Sequence, residues 1–196
     1  MSKEHHLTTP LSENDARNLR LRDIVYLTGR IYGIRDATQR RIFDEKVKPP
    51  VNFAGYPCLH TAPNVKKIGS KYVKLCIGTT TSTRMERYSP LLIKEYGVRA
   101  IIGKGGLLEE SLKAMYKYGA VYLAIVGGAA ALQTTQIEEI EAVYWEDLFP
   151  ECIWQLRAKN LGPLIVAMSS DSQSIYFEIR DRARQRFSKI LTELNS

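Results

Sequence analysis

The chain has 196 residues, 44% hydrophobic and 25% charged, which suits one well-buried domain and is too short for two of full size. No apolar run approaches the roughly 20 residues that span a bilayer, and the first six residues lack a signal-peptide core, so we expect a cytoplasmic protein without a membrane segment. The net charge of +7 fits an anionic substrate or an acidic partner. Because the arginines are spread among apolar segments and match no nucleic-acid motif, no nucleic-acid partner is expected.

The first third of the chain predicts alternating helices and strands. Residues 1–6 are expected to be a disordered tail, and 7–196 a single domain. A helix follows its capping residue Ser12. The β-branched run 24–29 predicts a strand that continues past a bulge, and Arg35 begins a second helix that ends before Pro49.

The rest of the chain continues this alternation. Strands are predicted at 72–77, 99–102 and 121–126, and glycine-terminated helices at 89–97 and 108–118. Residues 133–145 fit a helix or a strand, and 164–168 with 175–177 suggest a hairpin. The last predicted helix, 178–194, has an inward face of Ile179, Ala183, Phe187, Ile190, Leu191 and Leu194. Interleaved strands and helices indicate an α/β domain.

The run from Gly78 to Arg84 has five hydroxyl residues between a predicted strand and a segment that opens a helix. Threonine and serine there cap a helix, and the exposed N–H groups favour an anion. Arg84 adds a planar fork that matches a carboxylate. An ordinary helix cap and an anion site are equally good interpretations of this run alone.

A second loop favours the anion site. Residues 103–106, Gly-Lys-Gly-Gly, directly follow a predicted buried strand. The glycines permit close approach of a ligand, and Lys104 supplies a point charge. The loop is not a P-loop, because Gly105 rather than a hydroxyl residue follows the lysine. Two cations at two strand ends suit a dicarboxylate better than a polyphosphate.

The three cysteines, Cys58, Cys76 and Cys152, are an odd number, and their wide spacing includes no Cys-x-x-Cys. This spacing argues against a disulfide framework and against a local metal site. An iron–sulfur cluster is normally held by several cysteine thiolates. We therefore predict no metal ligands on this chain.

Several short segments, in order and spacing, resemble one known family. Gly78 with Thr80-Thr81 and Arg84-Met85, and the Gly-Lys-Gly-Gly loop, resemble the β subunit or C-terminal domain of iron–sulfur-dependent class I fumarases and L-tartrate dehydratases. The resemblance extends over most of the chain. Further matching segments are Leu7–Pro10, Asp23–Gly29, Arg35-Asp36-Ala37, Arg40-Arg41, Gly127–Leu132, Trp145–Leu148 and Gly162–Val166.

The resemblance implies a swivelling β/β/α domain and a hydro-lyase. Class I fumarases hydrate fumarate to (S)-malate with a 4Fe–4S cluster, which would lie on a partner α subunit in an assembly expected to be α2β2. This chain would complete the active site at the interface between the subunits. By resemblance, Arg35, Arg84 and Lys104, with Gly105, bind the dicarboxylate substrate, and Thr80 matches the base that takes the C3 proton. Lys104 is included with Thr80 as a catalytic residue.

The chain departs from the family pattern at several positions. Thr79 stands where proline is usual, Gln39 where histidine is usual, and Ser82-Thr83 replaces a Ser/Ala-Gly pair. The 127–130 segment is more similar to fumarases, and the 135–140 segment to tartrate dehydratases. These features favour fumarate over L-tartrate and leave room for a related dicarboxylate.

Two hypotheses from other classes remain at this point. One is a non-catalytic anion-binding module that has lost its α subunit, and a neighbouring reading frame for such a subunit would exclude it. The other is a basic nucleic-acid-associated protein. A shallow salt dependence of DNA binding would exclude a specific form of that hypothesis.

Overall fold

The computed structural model describes residues 2–128 and 130–194, which form an α/β fold. The strands are β1 (Glu4–Thr8), β2 (Ile24–Ile34), β3 (Cys58–His60), β4 (Asn64–Ile68), β5 (Lys71–Cys76), β6 (Ala100–Gly103), β7 (Val121–Ala124), β8 (Ile137–Tyr144) and β9 (Ile153–Met168). The α-helices are α1 (Glu13–Asn18), α2 (Asp36–Phe43), α3 (Ser89–Tyr96), α4 (Glu109–Tyr118), α5 (Ala130–Gln136) and α6 (Ile175–Leu194). Two 3-10 helices cover Ser82–Met85 and Glu146–Leu148.

The seven-stranded sheet is ordered β1-β2-β3-β6-β7-β9-β8, and its first five strands run parallel. The long strand β9 is antiparallel to β8 and β7, and it also pairs with β2. The path β2-β3-β6-β7-β9 therefore returns to β2 and closes. Strands β4 and β5 form a separate antiparallel pair.

The core lies on both sides of the parallel strands. In β6, Ala100 and Ile102 face one buried cluster, which includes Trp154, while Ile101 faces the other, which includes Phe53. Successive side chains of a strand point to opposite faces, so a strand buried on both sides reads as an uninterrupted apolar run. This explains why β6 and β7 could be predicted from the sequence.

Helix boundaries mostly confirm the sequence signals. Ser12 caps α1 through a capping box with Asp15, in which each residue's side chain bonds the other's backbone N–H. Helices α3 and α4 end at Gly97 and Gly119, both in the left-handed conformation. The ambiguous segment 133–145 contains both structures, since α5 ends at Gln136 and β8 begins at the next residue.

The prediction of a disordered tail at residues 1–6 is wrong for the part that enters β1. This strand pairs in parallel with the first half of β2. The His5 imidazole lies 2.9 Å from the Asp23 carboxylate, whose other oxygen accepts the Lys3 backbone N–H at 2.8 Å. Pairing with a distant strand, rather than local propensity, orders this segment.

The predicted hairpin is wrong in its second strand. The chain turns where the Ser169 N–H bonds the Gln173 carbonyl at 3.0 Å, but α6 begins at Ile175. The ring of Tyr176 packs beside Tyr122, with ring centroids 6.1 Å apart. The aromatic residues that suggested a strand thus lie in a helix, where tertiary contacts partly bury them.

The inward face predicted for the last helix is also wrong. In α6 the exposed fractions are 58% for Ile179, 61% for Phe187 and 46% for Ile190, and Ala183 is exposed too. The predicted positions 191 and 194 lie outside the residues whose side chains the structure describes. Helical periodicity locates the apolar stripe but does not supply the surface that covers it.

Candidate active site

The loop after β5 lies between the carboxyl ends of two parallel strands. Thr79 forms an antiparallel bridge with Thr61, just past β3, and Thr81 forms a parallel bridge with Lys104, just past β6. The Thr80 N–H donates to the carbonyl of His60, at the end of β3, at 2.8 Å. The loop is therefore fixed at the sheet edge where ligands bind in α/β folds.

This loop is not an ordinary helix cap. Residues Ser82–Met85 form only one 3-10 turn, and Thr81 before them makes no capping hydrogen bond with its side chain. The hydroxyl of Thr80 instead accepts a hydrogen bond from the Arg84 guanidinium, with Nη2 and Oγ1 2.7 Å apart. The run therefore pairs a hydroxyl group with a cation.

Arg35 comes to the same place from the end of β2. Its Nε lies 3.1 Å from an Asp36 carboxylate oxygen and 3.3 Å from one of Glu151. The same Asp36 oxygen is 3.9 Å from Arg84 Nη2. The two arginines and Thr80 thus form one connected group in which Asp36 lies between the guanidinium groups.

An open cleft of about 330 Å³ adjoins this group. Its lining residues are Asp36, Ala37, Arg40, Arg84, Arg87, Tyr88 and Glu151. With three arginines and two carboxylates, the cleft carries excess positive charge next to Thr80. Such a lining attracts a small anion.

Lys104 and Gly105 extend the site along the sheet edge. Lys104 forms no ion pair with any residue that the structure describes. Its side chain crosses Gly127, where a Cβ would lie 3.0 Å from Lys104 Cδ. Gly105 has φ +80°, and a Cβ there would lie 3.0 Å from the methyl group of Thr81. The structure thus brings Lys104 and Gly105 against the Thr80 loop, with Gly127 permitting the path of the lysine.

Sequence reasoning missed a buried group beneath this loop. The Ser82 hydroxyl lies 2.9 Å from His60 Nδ1 and 2.9 Å from the Tyr122 hydroxyl, and all three residues are buried. Burial lowers the pKa of the His60 imidazole to about 3, and the Asp36 carboxylate only partly opposes that fall. A histidine inside a short apolar strand was the only signal in the sequence.

Two carboxylates were also missed as parts of the site. Asp36 was noted only within a motif, and Glu151 lies far along the chain, in the connection between β8 and β9. One Glu151 oxygen accepts the Ala37 N–H at 2.8 Å at the start of α2 while the other faces Arg35. A carboxylate at a helix N-terminus is favourable, and here it also orients a cation.

The cysteines do not fit as ligands of an iron–sulfur cluster on this chain. Cys58 and Cys152 are buried, and burial raises the pKa of both thiols, to about 11 for Cys152. Thiolates, not thiols, bind metals. Across residues 2–128 and 130–194, no three histidine, cysteine or acidic side chains are grouped to hold a metal ion.

No helix within the described part of the chain is both long and apolar enough to cross a membrane.

Comparison with known proteins identifies the family of this chain. The family described as Fumarase C-terminus matches residues 2–179. The chain belongs to this family.

Relatives of this chain include subunits of similar length. It is 35% identical to the L(+)-tartrate dehydratase subunit beta of Escherichia coli K12 over 189 residues, which cover 96% of this chain and 94% of that one. A Methanocaldococcus jannaschii protein provisionally given the same subunit name is 38% identical over 92% of this chain and 95% of its own length. Both relatives are thus named as β subunits of L(+)-tartrate dehydratase, the second provisionally.

A longer relative carries the same domain within one chain. A Geobacillus stearothermophilus protein provisionally named as a class I fumarate hydratase is 35% identical over 93% of this chain, which spans 35% of that protein. This chain thus matches nearly the whole length of the two β subunits and about a third of the longer protein.

Proposed function

We propose that this chain is the β subunit of a two-subunit class I fumarate hydratase, active only with its α subunit, in reversible hydration of fumarate to (S)-malate. The main support is the group of Arg35, Arg84 and Thr80 at one sheet edge, with Lys104 beside it. The guanidinium groups offer two-point contacts for carboxylates, and the lysine adds a third charge. Residues 7–196, together with β1, act as one domain of the swivelling β/β/α type.

In this proposal Thr80 takes the C3 proton of malate. The C–H electron pair becomes the new C=C bond, and the C2 hydroxyl leaves as water with a proton from a group outside this chain. A threonine hydroxyl is a poor base unless its alkoxide is stabilised. The Arg84 guanidinium, 2.7 Å from Thr80 Oγ1, and the Lys104 ammonium supply positive charge for that purpose.

Arg35 and Arg84 bind the carboxylates of the substrate, and Gly105 lets the loop approach it. Asp36, which lies between the two arginines, occupies the kind of position that a substrate carboxylate would take. Dicarboxylate binding therefore competes with an internal carboxylate.

The α subunit supplies what this chain lacks. Since the buried thiols Cys58 and Cys152 do not fit a cluster, we assign the 4Fe–4S cluster to the α subunit of an α2β2 assembly. The open cleft beside Arg84 becomes enclosed when that subunit docks, which strengthens each charge contact. Three free cysteines suit a reducing compartment, so we place the complex in the cytoplasm.

L-tartrate is the second candidate substrate, because the relatives that match this chain along nearly their whole length are named tartrate dehydratase β subunits. Tartrate differs from malate by one more hydroxyl group, so the same arginines suit its carboxylates. The two candidates share the site and differ in a single hydroxyl contact.

Anaerobic co-expression with a cluster-bearing α subunit, followed by assays on fumarate, (S)-malate, L-tartrate and mesaconate, tests the proposal. Highest kcat/KM for fumarate and malate supports it, whereas preference for L-tartrate selects the second candidate. If this chain forms a complex with the α subunit but the complex turns over none of these acids, the enzymatic role would be overturned.

A further inference from the structure

The buried group of His60, Ser82 and Tyr122 holds the active-site loop from below. Ser82 precedes Arg84 by two residues, and its N–H bonds the Lys104 carbonyl at 2.8 Å. The His60 carbonyl accepts the Thr80 N–H at 2.8 Å and the Thr79 hydroxyl at 3.1 Å. His60 is thus bonded to the loop through both its backbone and its ring.

The hydrogen bonds around His60 indicate which ring nitrogen carries the proton. Burial raises the pKa of the Tyr122 phenol, so this group stays protonated and donates to Ser82 Oγ. The Ser82 hydroxyl then has one proton to give, and its remaining partner is His60 Nδ1, 2.9 Å away. With Nδ1 as acceptor, the neutral ring carries its proton on Nε2.

The Nε2 atom of His60 is buried and has no hydrogen-bond partner among the described residues. A buried donor without an acceptor is costly, and such a group in a site usually has a role there. Asp36 follows Ile34, the strand partner of His60, by two residues, and it is the charged group whose electrostatic effect on His60 is resolved. Asp36 also lies between Arg35 and Arg84, the arginines that the proposed function assigns to the substrate.

We propose that His60 is a positioning residue. Ser82 and Tyr122 hold its ring as the Nε2–H tautomer, and this N–H bonds the Asp36 carboxylate when substrate carboxylates occupy Arg35 and Arg84. The second step rests on the proposed function. A displaced Asp36 that had no donor would oppose substrate binding, so His60 lowers KM and leaves the proton-transfer step unchanged.

The tautomer is tested on the full chain, without substrate. The sequence contains three histidines, at positions 5, 6 and 60, so long-range ¹H–¹⁵N spectra of ¹⁵N-histidine-labelled protein are readily assigned with a His60→Gln control. We expect a protonated Nε2 and an unprotonated Nδ1 for His60 at neutral pH. A protonated Nδ1 would overturn the proposal.

Two substitutions separate the two nitrogens. His60→Asn keeps an acceptor near Nδ1 and removes the Nε2 donor, whereas His60→Gln keeps an amide near Nε2 and removes the bond to Ser82. In the assembled enzyme we expect His60→Asn to raise KM about tenfold with kcat within a factor of two. His60→Gln should raise KM less than His60→Asn does, while lowering the melting temperature.

The kinetic outcomes distinguish this inference from the proposed function. An active wild-type complex in which both variants change KM equally, or not at all, would reduce His60 to a structural residue. A wild-type complex that is inactive on every dicarboxylate would instead overturn the proposed function and, with it, the carboxylate step.

Discussion

At the scale of single residues, the contact between Arg84 and Thr80 links a proposed substrate-binding group to the proposed catalytic base. The guanidinium Nη2 lies 2.7 Å from the Thr80 hydroxyl oxygen and 3.9 Å from an Asp36 oxygen. One side chain can therefore hold a carboxylate and stabilise an alkoxide. The two neighbours are expected to give different kinetic defects.

Thr80→Val keeps the shape of the side chain and removes the proposed base. In the assembled enzyme we expect kcat to fall by roughly 100-fold or more while KM changes little. Thr81→Val is the matched control, since Thr81 is an exposed residue of the same loop. Steady-state kinetics and melting temperatures of both variants give the measurement. Near-normal kcat in Thr80→Val would move the base to the α subunit.

Arg84→Lys keeps the charge but loses the planar fork. Because the proposed role of Arg84 is to contact a carboxylate in both the bound substrate and the transition state, we expect a marked rise in KM, accompanied by a smaller fall in kcat. Kinetics with fumarate and with malate test this. An unchanged KM would show that Arg84 does not bind the substrate.

His60 also gives the stability of the protein a defined pH dependence. Its pKa falls from 6.5 to about 3 on folding, so below pH 6.5 the unfolded chain binds a proton that the folded chain does not. The free energy of unfolding should therefore decrease by about 1.4 kcal/mol per pH unit on acidification through this window.

Urea unfolding of wild type and His60→Gln between pH 7 and pH 4 isolates this effect, because the other groups titrate in both proteins. The difference in stability between the two should shrink as the pH falls. A constant difference would show that His60 is already protonated in the folded protein, or remains solvated.

At the scale of elements, strand ends position the site. Lys104 directly follows strand β6, whose last residue, Gly103, leaves room for the Ser82 hydroxyl. A Cβ on Gly103 would lie 2.0 Å from Ser82 Oγ and 3.1 Å from the Tyr122 hydroxyl oxygen. The packing at this end of β6 therefore requires a residue that has no side chain.

Gly103→Ala should displace Ser82 and lower the free energy of unfolding by about 1–3 kcal/mol. It should also impair turnover, since Ser82 and Arg84 lie on the same short 3-10 helix. Gly128→Ala is the control, because a Cβ there meets no described atom within 4 Å. Thermal melts and kinetics are the measurements, and equal effects of the two substitutions would contradict the steric argument.

The sequence predicted elements whose signals are local and missed those that depend on distant partners. Capping by Ser12 and glycine stops at Gly97 and Gly119 are local, and they were found. Strand β1 is ordered by β2, and α6 leaves Phe187 exposed because no described surface covers it. Neither fact is present in the periodicity of the segment itself.

The same distinction applies to the site. Arg84 and Lys104 were found because their residue types and loop composition indicate anion binding. His60 and Glu151 were not, because their roles arise from contacts with residues far away in the sequence, Ser82 for one and Arg35 for the other. Only the folded sheet brings those pairs together.

At the scale of the whole molecule, the site is open on one side and this chain offers no fitting cluster ligands among its described residues. We predict that the isolated chain is folded, colourless and inactive on dicarboxylates. Anaerobic purification, a visible spectrum and iron and sulfide analysis test this. Brown protein with stoichiometric iron and sulfide would contradict the two-subunit assignment.

The closing strand β9 has a consequence for how the protein is made. Ile24 of β2 pairs with Ile165 of β9, so β2 has no antiparallel partner until most of the chain has left the ribosome. Contacts this distant in sequence form slowly, and an unpaired β2 edge attracts other chains in the meantime. An incomplete nascent chain therefore lacks the strand that closes the sheet against β2.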